Sequence, residues 1–379
     1  MLFIFSIFLL WRAFDFVIAY FSPRFLPYLG HFSYVRDLDV IKLPDFIKSF
    51  ANFDGLFYIR IAENGYSQFE HAFFPLYPGL INGLTTLFGG DSLIAGLIIS
   101  NLAFLLALLI FKKYLENIFN NKNIAIWTII FIILFPTSFF FGALYTESLF
   151  LLFSVLCFYF LDKKKFIRAS VFAILASLTR FIGVFLFVPI LVYILNTKLK
   201  DTRNKIQAFL YTLSPFIGLA IYSVYLYFTT GNFFEFFTSQ EAFSAGRSTK
   251  LILFPQVIYR YIKIFITADV NFQYFISTLE FLVFLTFFVI ISIQIYLIFK
   301  KQKLNIALLS LSLFSLINLL IPTFTGTFLS IPRFALISLS FFIFLSLIKN
   351  KFIKSTIVII FFITHIVLLA FFIQGYFIA

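Results

Sequence analysis

The chain has little of what a soluble enzyme is made from. Charged residues are 12% of its 379 positions, against 62% apolar and 22% aromatic. A soluble domain carries about a quarter charged and about half apolar residues. A single cysteine, Cys157, excludes a disulfide within the chain and any cysteine-built metal centre. The three histidines, His31, His71 and His365, lie too far apart in sequence for H-x-x-x-H ligand spacing. P-loop, dinucleotide fingerprint, low-complexity linker and fixed-period repeat are all missing. Nor does the net charge of +13 point to nucleic acid. Its cations sit at the ends of apolar runs, where Lys and Arg anchor helices and set orientation.

What is there is hydrocarbon, in runs near the twenty residues that cross a bilayer core. They cover 2–22, 91–111, 124–145, 148–161, 166–179, 181–195, 206–228, 272–299, 304–321, 334–348 and 352–373. This predicts an all-α polytopic integral membrane protein with one transmembrane domain over 1–379. The first run lacks a basic n-region and a small-residue cleavage site, so it reads as a retained helix rather than a signal peptide. Arg12 and Asp15 share one face of it at i, i+3, and predict a structural ion pair turned towards other helices.

Basic clusters at Lys112/Lys113/Lys122, Lys163–Lys165 with Arg168, Lys198–Lys205, Lys300–Lys303 and Lys349–Lys354 should all be cytoplasmic. They fall on one side only if the apolar run 72–88, with Pro75, Pro78, Asn82, Thr85 and Thr86, lies on the membrane surface. About 11 transmembrane helices then remain, with the N-terminus cytoplasmic. Two long polar-aromatic intervals, about 23–90 and 231–271, share the outer face with most of the acidic residues. Long loops on one face usually carry function.

The stretch 52–78, NFDGLFYIRIAENGYSQFEHAFFPLYP, concentrates charge among aromatics. Read as a helix, its first half is amphipathic and suited to the interface plane. Asp54 heads it, either as an N-cap or as a general base that reaches an acceptor hydroxyl while a lipid-borne donor stays in the bilayer. Gly55 would allow close approach of a substrate. Glu63 and Glu70 could bind hydroxyls or serve as structural charges, and His71 could hydrogen-bond substrate or pack as a neutral ring.

The string from Asp54 to Tyr66, followed by Glu70, His71 and the AFFP of 72–75, resembles the hallmark of the PIG-V (GPI mannosyltransferase II) family and its prokaryotic relatives. That pattern is roughly W-D-x-x-x-[FY]-x-x-I-A-x-x-G-Y, then E-H and A-F-F-P, with Phe53 here in place of the tryptophan. FPTSFFFGALYTESLF at 135–150 and ASLTRFIGV at 176–184 look like further blocks of that family. The resemblance covers the first half of the chain well and the second half loosely. It implies a GT-C-type bundle with juxtamembrane helices in a long first outer loop. It also implies an inverting transfer of mannose from a polyprenyl-phosphate donor, with Asp54 as the base.

Glu147 is then either a cap or a contact to sugar hydroxyls. Arg180 is either a snorkelling anchor or a partner for phosphate or carboxylate. A cation must meet the donor phosphate, where negative charge builds on the leaving group. Arg247, Arg260 and Arg333 are the phosphate-binding candidates, with Lys263 near them, and each reads equally as an interfacial anchor. A divalent metal is left open as a cofactor: the hallmark holds no D-x-D, and Asp37 and Asp39 form a lone D-L-D. The acceptor is a glycolipid, glycan or protein, membrane lipids surround the chain, and no nucleic acid is involved. Compact loops and skewed composition suggest a prokaryotic plasma membrane. The competing class is a transporter or lipid-linked-sugar flippase, for which the ionisable residues inside the runs are few: Arg12, Asp15, Glu280 and His365.

Overall fold

The computed structural model describes residues 2–197, 202–240, 250–300 and 304–378, with the side chains of 202 and 203 left aside. Among the described residues there are helices and no strands. The class is therefore the expected one, a helical polytopic membrane protein. Six helices are long and apolar enough to cross a membrane. They are α1 (Leu2–Phe21), α4 (Ser92–Phe119), α9 (Thr202–Thr230), α11 (Phe272–Lys300), α12 (Ile306–Leu320, extended by a 3-10 turn to Thr325) and α14 (Lys351–Ile373).

The other apolar runs do not become long helices. They form α5 (Lys122–Leu134), α6 (Glu147–Asp162), α7 (Phe166–Thr179), α8 (Phe187–Leu195) and α13 (Leu339–Leu347). Each falls short of the ~20 residues that a 30 Å core requires. The chain enters several of them through irregular backbone. Helix α5, for example, stops before Pro136, which disfavours helical geometry in the residue ahead of it. The expected crossing over 124–145 is thus a 13-residue helix and then a buried run whose one helical piece is a 3-10 turn, Ser138–Phe141.

Irregular backbone at membrane depth survives only inside protein, where its polar groups find partners. Here they do. Leu144 N donates to Phe50 O (3.0 Å), Asn101 Nδ2 to Gly142 O (3.3 Å) and Ser148 Oγ to Phe141 O (2.5 Å). Thr137 Oγ1 reaches Pro332 O at 2.7 Å, tying this run to a second irregular one, 321–338. Phe139, Phe140 and Phe141 are fully buried, and Phe141 stacks on Phe104 with centroids 4.4 Å apart.

Arg12 and Asp15 form the expected pair at 3.8 Å, and His365 joins it, with Nε2 2.8 Å from Asp15 Oδ1. The Arg12 guanidinium lies between the rings of Phe16 and Phe50, 4.2 Å from each centroid. A Cβ at Gly142 would stand 2.7 Å from Arg12 Nη1 and 3.0 Å from the Trp11 ring, so a side chain there would push Arg12 off its place between the two rings.

The first long loop carries α2 (Asp54–Asn64) and α3 (Leu76–Phe88). At 13 residues α3 is about 20 Å long and is not among the span-length helices. Its Tyr77, Pro78 and Ile81 are buried. The second long interval carries α10 (Phe254–Thr267), an amphipathic helix with Val257 and Tyr261 inward and Tyr259 and Ile266 outward.

Candidate active site

Asp54 is not an N-cap. It is the first helical residue of α2, and the cap position belongs to Phe53, which makes no capping bond. Phe53 has φ +60 and ψ −116, a conformation that costs a side-chain-bearing residue about 1–3 kcal/mol. Aromatic packing holds it there: Phe32 lies 4.4 Å away, Phe377 5.5 Å and Phe372 6.0 Å between centroids. On the other side, Asn52 is pinned by Tyr145 OH donating to its carbonyl (2.7 Å) and by its own Nδ2 donating to Phe372 O (2.9 Å). The turn therefore sets the direction in which Asp54 leaves the backbone.

That direction leads to Arg333. Arg333 Nη1 lies 2.5 Å from Asp54 Oδ2, and its Nε lies 3.5 Å from Glu147 Oε1. Glu147 also pairs closely with Arg180, whose Nη1 is 3.3 Å from Thr146 Oγ1. Two carboxylates and two guanidiniums thus alternate as Asp54, Arg333, Glu147, Arg180. The Arg333 side chain is 9% exposed and that of Glu147 1%, while Asp54 keeps 27%. Burial works against the charge on Arg333, but Asp54 and Glu147 outweigh it and raise its pKa above the ordinary value. Two buried atoms of the chain of charges, Arg333 Nε and Glu147 Oε2, have no hydrogen-bond partner.

All four residues line one cavity of about 1660 Å³. Its walls also carry Tyr58, Phe181, Lys250, Arg260, Lys263 and Glu280. Arg260 arrives on α10 with Nη1 2.9 Å from Gly326 O. Gly326 has φ +97, and a Cβ there would come 2.5 Å from that nitrogen, so this turn too requires glycine. Tyr261 OH donates to Glu280 Oε2 at 2.6 Å, which fixes α10 to α11. Tyr58 is pushed above the usual tyrosine range by burial and then by Asp54 and Glu147, so it stays a neutral phenol.

The site residues expected from sequence divide. Asp54, Glu147, Arg180, Arg260 and Arg333 come to the cavity. Glu63, Glu70 and His71 do not line it. Glu63 is exposed at the far end of α2. Glu70 is buried, accepts from Ser67 N at 2.8 Å and lies 3.5 Å from Arg60 Nε, while Arg60 Nη1 reaches Asp37 at 2.8 Å. This is a brace across the first loop. His71 stacks on Tyr66 (5.2 Å, 11°), its Nδ1 has no partner, and burial lowers its pKa. Gly55 faces Leu144 O, 3.2 Å from where a Cβ would lie, so it serves backbone packing and not substrate approach. Arg247 lies outside the described residues. Among the described residues no three His, Cys, Asp or Glu side chains gather to hold a metal ion. Sequence reasoning missed the C-terminal wall, Gly375 and Phe377, and the bracing role of Arg60; nothing in their local spacing marks them.

A bundle of apolar helices, with alternating acids and arginines on the wall of a large cavity, defines a polytopic membrane protein equipped for polar chemistry beside lipid. Residues 42–188 match the family model described as Mannosyltransferase (PIG-V). The match falls on the segment whose hallmark resembles that family and spans less than half of the chain. GPI mannosyltransferase 2 of Schizosaccharomyces pombe (strain 972 / ATCC 24843) is 33% identical over 143 residues, which are 36% of this chain and 30% of that protein. The chain thus aligns with under a third of the length of its curated relative. No solved structure matches. The matched segment contains Asp54, Glu147 and Arg180; Arg333 and Arg260 lie beyond it.

Proposed function

We propose that the chain is a membrane mannosyltransferase that moves a sugar from a polyprenyl-phosphate donor to an acceptor hydroxyl, with Asp54 as general base. One observation carries this reading. A carboxylate on the first turn of α2 lines the cavity and meets a buried arginine 279 positions away in sequence.

In this reading the acceptor hydroxyl gives its proton to Asp54 as its oxygen bonds to the anomeric carbon. The bond from that carbon to the phosphate oxygen breaks, and the polyprenyl phosphate leaves with the electron pair. Attack opposite the leaving group inverts the anomeric centre. Arg333 supplies fixed positive charge beside the departing phosphate, with Arg180 and Arg260 on the same walls. Its planar fork can serve Asp54 and a phosphate oxygen together, which a lysine cannot. Glu147 bridges Arg333 and Arg180 and so fixes both guanidiniums on the cavity wall. Glu63, Glu70 and His71 take no step. The acceptor is a hydroxyl of a glycolipid, glycan or protein at the outer face of a membrane, with the N-terminus on the cytoplasmic side.

The test is Asp54→Asn in proteoliposomes supplied with labelled polyprenyl-phosphate mannose and a native lipid extract as acceptor. Loss of the base is expected to slow transfer by about 10²–10⁴-fold. Undiminished transfer overturns the assignment. So does a wild-type protein that moves intact donor between leaflets without making a glycoside.

A further inference from the structure

A second cavity, of about 560 Å³, lies at the opposite end of the bundle and takes no part in the reading above. Its position follows from the chain path. Helix α6 starts at Glu147 in the active-site cavity and runs 16 residues, about 24 Å, to Asp162. A tight turn follows, closed by Lys164 N to Leu161 O (2.9 Å) and Lys165 N to Phe160 O (2.8 Å). Helix α7 then returns to Arg180. The far end of α8 and the start of α9 close the cavity from the other side.

Its wall is chemically one-sided. Lys164, Lys165 and Arg168 provide three cations, and Thr197, Asn204 and Gln207 provide neutral polar groups. Among the described residues no carboxylate lines it, and none of the three cations is paired with one. Elsewhere on the same face Lys112 has its acid, Glu116 at 2.8 Å. Around the cavity the surface is hydrocarbon: Ile167, Leu195, Ile206 and Leu210 are all exposed. Cations and amides in a recess, ringed by lipid-facing side chains, recognise a phosphate that arrives with acyl chains attached.

We propose that this recess binds the phosphodiester headgroup of an anionic phospholipid. The phosphate sits among Lys164, Lys165 and Arg168, the amides of Asn204 and Gln207 meet headgroup hydroxyls, and the acyl chains lie along Ile206 and Leu210. A free phosphate offers the same charge without the chains, so the experiment separates the two sources.

The full-length protein is reconstituted in phosphatidylcholine nanodiscs with and without phosphatidylglycerol, released into mild detergent, and examined by native mass spectrometry. The wild type is expected to retain phosphatidylglycerol adducts, and inorganic phosphate is expected not to displace them. Each cation at a membrane surface contributes about a fivefold gain for anionic lipid. The triple variant K164Q/K165Q/R168Q should therefore lose retention by about a hundredfold. A control with equal loss of charge, K113Q/K122Q/K349Q, should keep its adducts. Equal losses in the two triple variants, full retention in the first, or displacement by inorganic phosphate would each overturn the proposal. Thermal unfolding in phosphatidylcholine alone shows that both variants fold.

Discussion

Replacing Arg333 with methionine tests the alternating charges most directly. The substitution keeps the length of the buried stem and removes a guanidinium shared by Asp54 at 2.5 Å and Glu147 at 3.5 Å. Stripping one partner from a buried pair costs about 3–5 kcal/mol. Two features reduce that here: Glu147 keeps Arg180, and the Asp54 side chain is 27% exposed and can be hydrated by cavity water. A loss of about 2–3 kcal/mol is the resulting expectation. Asp54→Asn removes the other half of the same pair, so the double variant should lose less than the two singles together. The expected coupling is about 1–2 kcal/mol. Stability is read from denaturant unfolding in bicelles, and function from transfer of labelled donor.

Loss of a preorganised charge beside a leaving group lowers turnover by about 10²–10³-fold. Arg333→Lys should fall between, with a raised KM for the donor, because it keeps the charge and loses the fork. Additive stability losses, with coupling under about 0.3 kcal/mol, together with an unchanged donor KM in Arg333→Met, would refute the reasoning.

Three further outcomes are expected. Gly142→Ala puts a methyl 2.7 Å from Arg12 Nη1 and 3.0 Å from the Trp11 ring, so it should cost about 1–3 kcal/mol, seen as a lower Tm. An unchanged Tm would mean that the 135–146 run does not lie against α1. His71 has its pKa lowered by burial, so the folded protein binds fewer protons there than the unfolded chain. Stability should thus fall as pH drops through the ordinary histidine range near 6.5, and in His71→Phe that part of the pH dependence should flatten. Finally, Glu63→Gln alters an exposed side chain off the cavity wall and should leave both transfer and Tm unchanged. A large fall in donor turnover would return Glu63 to the site.

How much was legible beforehand differs between fold and site. Helical membrane architecture followed from composition, because hydrocarbon can be solvated by lipid only if the backbone satisfies itself within helices. The Arg12–Asp15 pair followed from i, i+3 spacing. The surface placement of 72–88 was read from its prolines and from the distribution of basic clusters, and the helix there has 13 residues. Eleven crossings were expected from the apolar runs, and six of those runs are single helices of span length while the others are shorter helices. Hydropathy registers burial in oil or in protein alike, so 135–145 read as the second half of a crossing although it is a buried run with one 3-10 turn packed inside protein.

Asp54 stood out in the sequence for its place in a polar-aromatic stretch and for the motif around it, while its choice between cap and base stayed open there. Tertiary structure removed the cap reading. The cap position went to Phe53, strained and held by rings from both ends of the chain, and the carboxylate went to Arg333. No local rule selects Arg333, in SIPRF, over Arg247, in SAGRS, or Arg260, in IYRYI. Its partner is set by the fold of 321–338 against 135–146, through contacts such as Thr137 with Pro332. The alphabet of the site was therefore local: an acid at the head of an amphipathic helix and arginines at apolar edges. Its pairing was not. Ion pairs between residues 279 positions apart depend on how two irregular buried segments satisfy their polar groups, and that is settled only when the whole bundle packs.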